Sequence, residues 1–202
     1  MQKNMIELFS GSKTVSKTFE ANGWQSFSID NNPKLQPSLC FNLLDISLDM
    51  LPKNPDFIWA SPDCRFFSRA GNSHTWQKTT PKYRQYNYIP ITLGSANSFN
   101  LLTKTIEIIR SFPQAVFIIE NPIGRIQHMP QMKSLGHYRY AVNYADFGFF
   151  YSKETYIFSN IWLPFSTKKV HSSLPSMQTI SSRSHRSLVP VPLVQTIIDW
   201  LP

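Results

Sequence analysis

Several short apolar runs in this chain stop at a residue able to do chemistry. Residues 5–9 run into Ser10-Gly11-Ser12, residues 14–21 have the pattern of a helix closed by Asn22-Gly23, and residues 24–29 read as a second strand ending in Asp30. Strand, glycine turn, helix, strand and acid in that order make the first half of an open α/β nucleotide-binding sheet. Residues 56–60 and 115–119 supply two further strands, each expected to close on a proline-containing turn, Ser61-Pro62-Asp63-Cys64 and Glu120-Asn121-Pro122. Open α/β sheets bind ligands outside the carboxyl ends of their strands. A glycine turn, a carboxylate, a thiol and a second carboxylate are therefore expected on one side of one sheet.

The remaining elements fill in around these. Residues 93–112 have helical apolar spacing, with Leu101, Leu102, Ile106 and Ile109 near one face. Residues 69–88 are polar, with His74, Trp76, Lys78, Lys82 and Arg84, and read as a long loop or broken helix beside the site. Residues 140–144 and 155–158 are expected to pair antiparallel around Asp146-Phe147-Gly148-Phe149. Residues 161–192 read as irregular chain, and residues 193–200 as a short terminal helix. The 202 residues fit a single domain spanning 1–202.

Charge narrows the substrate class. The net charge is +8, with no acid between Asp63 and Glu107 and none from Thr155 to Ile198. Two basic segments bracketing the strand ends suggest a polyanion, because such a field attracts phosphates and speeds encounter. Excess lysine that keeps a protein soluble fits the same composition. Two cysteines make no disulfide framework, and Cys40 and Cys64 lack zinc-ligand spacing with the histidines, so no metal is expected. No run is long enough to span a membrane and no signal segment is evident, so a cytoplasmic setting is the default expectation.

Phe9-Ser10-Gly11 would let backbone amides approach a ligand carboxylate or phosphate. Asp30 could accept from ribose hydroxyls or serve as a cap, and Asp45 could accept from an adenine amine or be a surface acid. Cys64 is flanked by Arg65 and Arg69, and positive neighbours raise the thiolate fraction, whereas Asp63 works the other way. Glu120, directly after an apolar strand, would be poorly solvated and suited to proton donation, with Asn121 leaving an amide to hydrogen-bond.

Taken together these positions resemble the cytosine-5 DNA methyltransferases, especially their compact phage and prophage forms. The runs that carry the resemblance are Glu7 to Gly11, Ser28-Ile29-Asp30, Asp45-Ile46, Ser61 to Ser68, Glu120-Asn121-Pro122 and Tyr144 to Phe150, in family order. The resemblance implies a Rossmann-like S-adenosylmethionine-dependent methyltransferase fold with a mostly parallel central sheet, acting on DNA. It implies cofactor contacts from Phe9, Ser10, Gly11 and Pro62, with Asp30 on the ribose and Asp45 on the adenine. Cys64 would attack carbon 6 of a cytosine, Glu120 would support protonation at ring nitrogen 3, and Asn121 would help hold that pocket. Arg65, Arg69 and Lys153 would meet the substrate, which must be flipped from a duplex to be reached.

Three departures stand out: Lys13 and Thr14 in place of further glycine, Asp63 in place of the proline before the nucleophile, and Phe150 to Glu154 in place of a proline and arginines. About thirty residues, within 161–192, occupy the place of a target-recognition domain. Sequence choice would then be relaxed, supplied by residues 69–88 or by a separate specificity partner. Alternatively, the substrate would be a free cytidine nucleotide or RNA, or the protein would be an inactive DNA binder of the same fold.

Overall fold

The structure, a computed structural model, describes residues 2–68, 73–78, 88–165, 174–176, 179 and 187–202. Arg69, most of the polar 69–88 segment and much of 161–192 lie outside the described residues.

Nine strands and four α-helices are described. In chain order they are β1 Asn4–Leu8, α1 Thr14–Ala21, β2 Gln25–Asp30, β3 Leu39–Cys40, β4 Phe57–Ala60, β5 Trp76–Lys78, β6 Tyr88–Pro90, α2 Leu93–Ser111, β7 Val116–Pro122, α3 Pro130–Lys133, β8 Tyr138–Asn143, β9 Glu154–Ser159 and α4 Val191–Ile198. Seven strands form one sheet in the order β3-β2-β1-β4-β7-β9-β8. The first five run parallel, and β9 enters antiparallel to both β7 and β8.

The sheet is covered on both faces, which is why its central strands are apolar on alternate and intervening positions alike. Ile6, Leu8, Ile58, Ala60, Phe117 and Ile119 pack with Leu102, Ile106 and Ile109 of α2. Met5, Phe57, Trp59, Val116 and Ile118 pack instead with Val15 and Phe19 of α1 and Leu193, Val194 and Ile197 of α4. Strand order reverses at β1, where β2 lies on one side and β4 on the other, so a crevice opens at their carboxyl ends.

Two expectations change. β7 does not stop at Ile119, because β9 continues to pair with it after its parallel neighbour β4 has ended. Ala60 faces Ile119 as the last parallel pair, while Glu120, Asn121 and Pro122 face Ile157, Tyr156 and Thr155. The polar segment is no broken helix at its described ends, since Trp76–Lys78 pairs antiparallel with Tyr88–Pro90.

Candidate active site

At the reversal point lies a cleft of about 360 Å³, inside the range of small-molecule sites. Phe9, Ile29, Phe41 and Leu43 give it apolar walls, and Asp30, Asn42, Ser61, Asp63 and Arg65 add polar groups, with Asn97 reaching in from α2. Asp30 is positioned by the glycine turn: its Oδ2 accepts from the Gly11 amide at 2.9 Å and its Oδ1 from the Asn32 amide at 2.9 Å. Gly11 holds φ at 49°, in the left-handed region that glycine enters without penalty. Its amide is therefore committed to Asp30, and the Ser10 amide is committed to the Ile29 carbonyl at 2.9 Å. The buried Ser10 hydroxyl has no hydrogen-bond partner among the described residues. Aromatic walls, a carboxylate and a mixed-charge end suit a nucleoside carrying an amino-acid tail.

The thiol sits beside this cleft on a turn held by β7. Asn121, fully buried, donates through Nδ2 to the Pro62 carbonyl at 2.8 Å. The Arg125 amide donates to the Phe67 carbonyl at 2.6 Å, and Ser68 bridges to Gly124. A Cβ on Gly124 would stand 2.0 Å from the Phe67 carbonyl oxygen, so this close approach requires glycine. Behind the turn the Trp76 indole stacks on Phe67 with centroids 5.6 Å apart and donates to the Phe66 carbonyl at 2.6 Å.

Cys64 is half-buried. Burial pushes its thiol above the ordinary value, Glu120 adds to the rise, Lys153 opposes it, and Asp63 raises it further. Activation by Arg65 is thus corrected, and Arg69 lies outside the described residues. Arg65 is bound by the neighbouring carboxylate, with Nε 2.9 Å and a terminal nitrogen 2.6 Å from Asp63 Oδ2.

Glu120 is 5% exposed and faces two groups from the antiparallel hairpin. The Tyr144 hydroxyl donates to Oε1 at 2.7 Å, and the Lys153 ammonium stands 3.6 Å from the same oxygen and 4.3 Å from the centre of the Tyr144 ring. Burial and then the Glu120 charge hold the Tyr144 hydroxyl well above its usual range, so it remains a proton donor. Asn143 secures the hairpin turn: its Oδ1 accepts from the Ala145 and Lys153 amides at 3.1 and 3.2 Å, and Nδ2 donates to Ser152.

The structure therefore brings Phe9, Asp30, Cys64, Glu120, Asn121 and Lys153 to neighbouring strand ends. Ser10 and Gly11 stand behind Phe9 as supports, and Pro62 is buried, so that Ser61 and Asp63 line the cleft in its place. Asp45 is exposed, on a turn whose earlier residues Asn42 and Leu43 reach the cleft instead. Lys153 is buried against Glu120. Sequence reasoning missed Phe41, Asn97 and Tyr144. Phe41 adjoins Asn42 in a turn already marked as chemical, whereas nothing local in the sequence joins Tyr144 to Glu120.

No protein-family model matches the chain. Over 163 residues it is 28% identical to a frog virus 3 (isolate Goorha) protein named "Probable DNA (cytosine-5)-methyltransferase", covering 78% of this chain and 70% of that one. The Entamoeba histolytica methyltransferase EhMeth superposes with a TM-score of 0.52 at 16% identity, over 87% of this chain and 58% of that one. The S. pombe Dnmt2 methyltransferase gives 0.54 at 11% identity, over 83% and 52%. The chain thus spans little more than half the length of these solved structures. The sheet order and these superpositions give the chain the Rossmann-like fold of S-adenosylmethionine-dependent methyltransferases.

Proposed function

We propose that the chain is a DNA cytosine-5 methyltransferase that works through a covalent adduct on Cys64. The observation that carries this reading is the tie between Asn121 and the Pro62 carbonyl, which holds the thiol turn against the strand bearing Glu120, beside a nucleoside-sized cleft. Cytosine carbon 5 is a poor nucleophile until addition at carbon 6 breaks the ring's aromaticity. Cys64, as thiolate, forms the bond to carbon 6, and Glu120 holds the proton at ring nitrogen 3, so that electron density moves to carbon 5. Tyr144 and Lys153 fix the Glu120 carboxylate against the ring. S-adenosylmethionine would supply the electrophilic methyl group, held by Phe9, Asp30 and the polar end of the cleft. Solvent water then takes the proton from carbon 5, the bond between carbon 6 and sulfur breaks to release the Cys64 thiolate and restore the double bond, and the proton on ring nitrogen 3 returns to Glu120.

A second reading keeps the fold and DNA binding without transfer, and the raised thiol beside Asp63 favours it. Methyl transfer from labelled cofactor, measured in parallel on duplex DNA, single-stranded DNA, RNA and dCMP, separates the two. Transfer to DNA that is lost in Cys64→Ser, with an adduct trapped on 5-fluorocytosine DNA, supports the first reading. Transfer to dCMP or RNA alone removes DNA as substrate. Salt-sensitive duplex binding with no transfer to any substrate supports the second reading.

A further inference from the structure

The residue before the thiol has no part in the chemistry above, yet its carboxylate lines the cleft. We propose that Asp63, held by Arg65 on the cleft wall, makes this cleft selective for the positively charged sulfonium cofactor over the neutral thioether left after methyl transfer. The inference rests on the cofactor reading above and concerns which charge state of the ligand the cleft prefers.

Among the described residues three charged side chains line the cleft, Asp30, Asp63 and Arg65, with a net charge of −1. Asp30 spends its hydrogen-bonding on the Gly11 and Asn32 amides at the nucleoside end. Asp63 lines the same cleft directly before Cys64. A methyl donor must bring its sulfur to the ring that Cys64 engages, so the sulfur end of the ligand belongs beside Asp63.

The ion pair is also asymmetric. Both side chains line the cleft, but the Asp63 side chain is 25% exposed and the Arg65 side chain 69%, so water reaches the guanidinium more than the carboxylate. Water screens the exposed partner more, and the carboxylate's field dominates within the cleft. A sulfonium ligand gains from that field, and a thioether of nearly the same shape does not. Product would therefore leave more readily than cofactor binds. This supplies a reason for an acid beside the nucleophile: it raises the thiol, as its position dictates, and in return it sorts cofactor from product.

Titration calorimetry with S-adenosylmethionine, S-adenosylhomocysteine and sinefungin, in which an amine-bearing carbon replaces the sulfonium, tests this on the intact chain. Asp63→Asn should lower the ratio of S-adenosylmethionine to S-adenosylhomocysteine affinity by roughly 3- to 10-fold, with sinefungin following the charged cofactor. Arg65→Gln, which frees the carboxylate, should move the ratio the opposite way. An unchanged ratio in Asp63→Asn, or an equal loss for charged and neutral ligands, overturns the inference and leaves the cofactor reading standing. Failure of the wild type to bind any of the three removes the cofactor reading, and this inference with it.

Discussion

Two buried glutamates lie in strands of the same sheet, Glu7 in β1 and Glu120 in β7, and the chain surrounds them differently. Glu7 stands among the parallel strands and meets neutral donors, the Ser16 amide at 2.9 Å and the Ser16 hydroxyl. It does structural work there, because the residue capping α1, Lys13, provides no side-chain bond to the helix amides. Burial dominates, and the Glu7 carboxyl is raised to about 7, with the Ser16 bonds only partly opposing. Glu120 lies where the sheet turns antiparallel, and the β8–β9 hairpin brings it an ammonium and a phenol. A carboxylate serving a helix needs only amides, whereas one serving a reaction needs a fixed orientation and a cation nearby.

The largest effect should come from the thiol that Glu120 faces. Cys64→Ser is expected to lower methyl transfer on the order of 10³-fold or more while cofactor affinity by calorimetry stays unchanged. Substantial remaining transfer would detach the chemistry from this strand end altogether.

Breaking the pair around Glu120 comes next. Lys153→Met strands a buried carboxylate and should cost about 3–5 kcal/mol of stability in urea denaturation, and the double variant with Glu120→Gln should recover part of it. An additive double variant would mean that the two groups do not interact, and the contrast with Glu7 would fail.

Glu7 predicts a pH dependence of defined sign. Its folded value near 7 exceeds the ordinary carboxyl value of 4.5, so its stabilising contribution is complete below about 4.5 and is lost as pH rises through about 7. Across that window the loss is on the order of 3 kcal/mol. Denaturation curves at about pH 5 and about pH 8 should therefore differ more for wild type than for Glu7→Gln; equal differences would show that Glu7 is not the titrating group.

The smallest effect is at the cleft. Asp30→Ala should weaken S-adenosylmethionine about 10-fold, because it removes a ligand contact and frees the Gly11 amide, while Asp45→Ala should leave affinity unchanged. Equal losses would return Asp45 to the site despite its exposure.

The parallel half of the molecule was legible because its signals are local. Apolar runs of four to six residues broken by glycine, proline or an acid mark a strand and its end together, so spacing alone puts Phe9 and Asp30 on the cleft wall and Cys64 beside it. Local pattern failed where the ladder partner decided the outcome. β7 runs on through Pro122 because antiparallel β9 lies beside it, and no feature within residues 116–122 announces that neighbour. Asp45 shows the same limit, since a short turn decides which of Asn42, Leu43 and Asp45 faces the cleft.

From the sequence alone come the ends of β1, β2 and β4, the order of the parallel strands and the residue types that stand there, because hydrophobic period and turn chemistry are properties of neighbours along the chain. The tertiary structure decided what those residues touch. It gave Glu120 its Tyr144 and Lys153 partners, tied Arg65 to Asp63, and raised the thiol that Arg65 was expected to help lower. Burial and charge act through space over a few ångströms, and folding sets those distances between residues far apart in the chain.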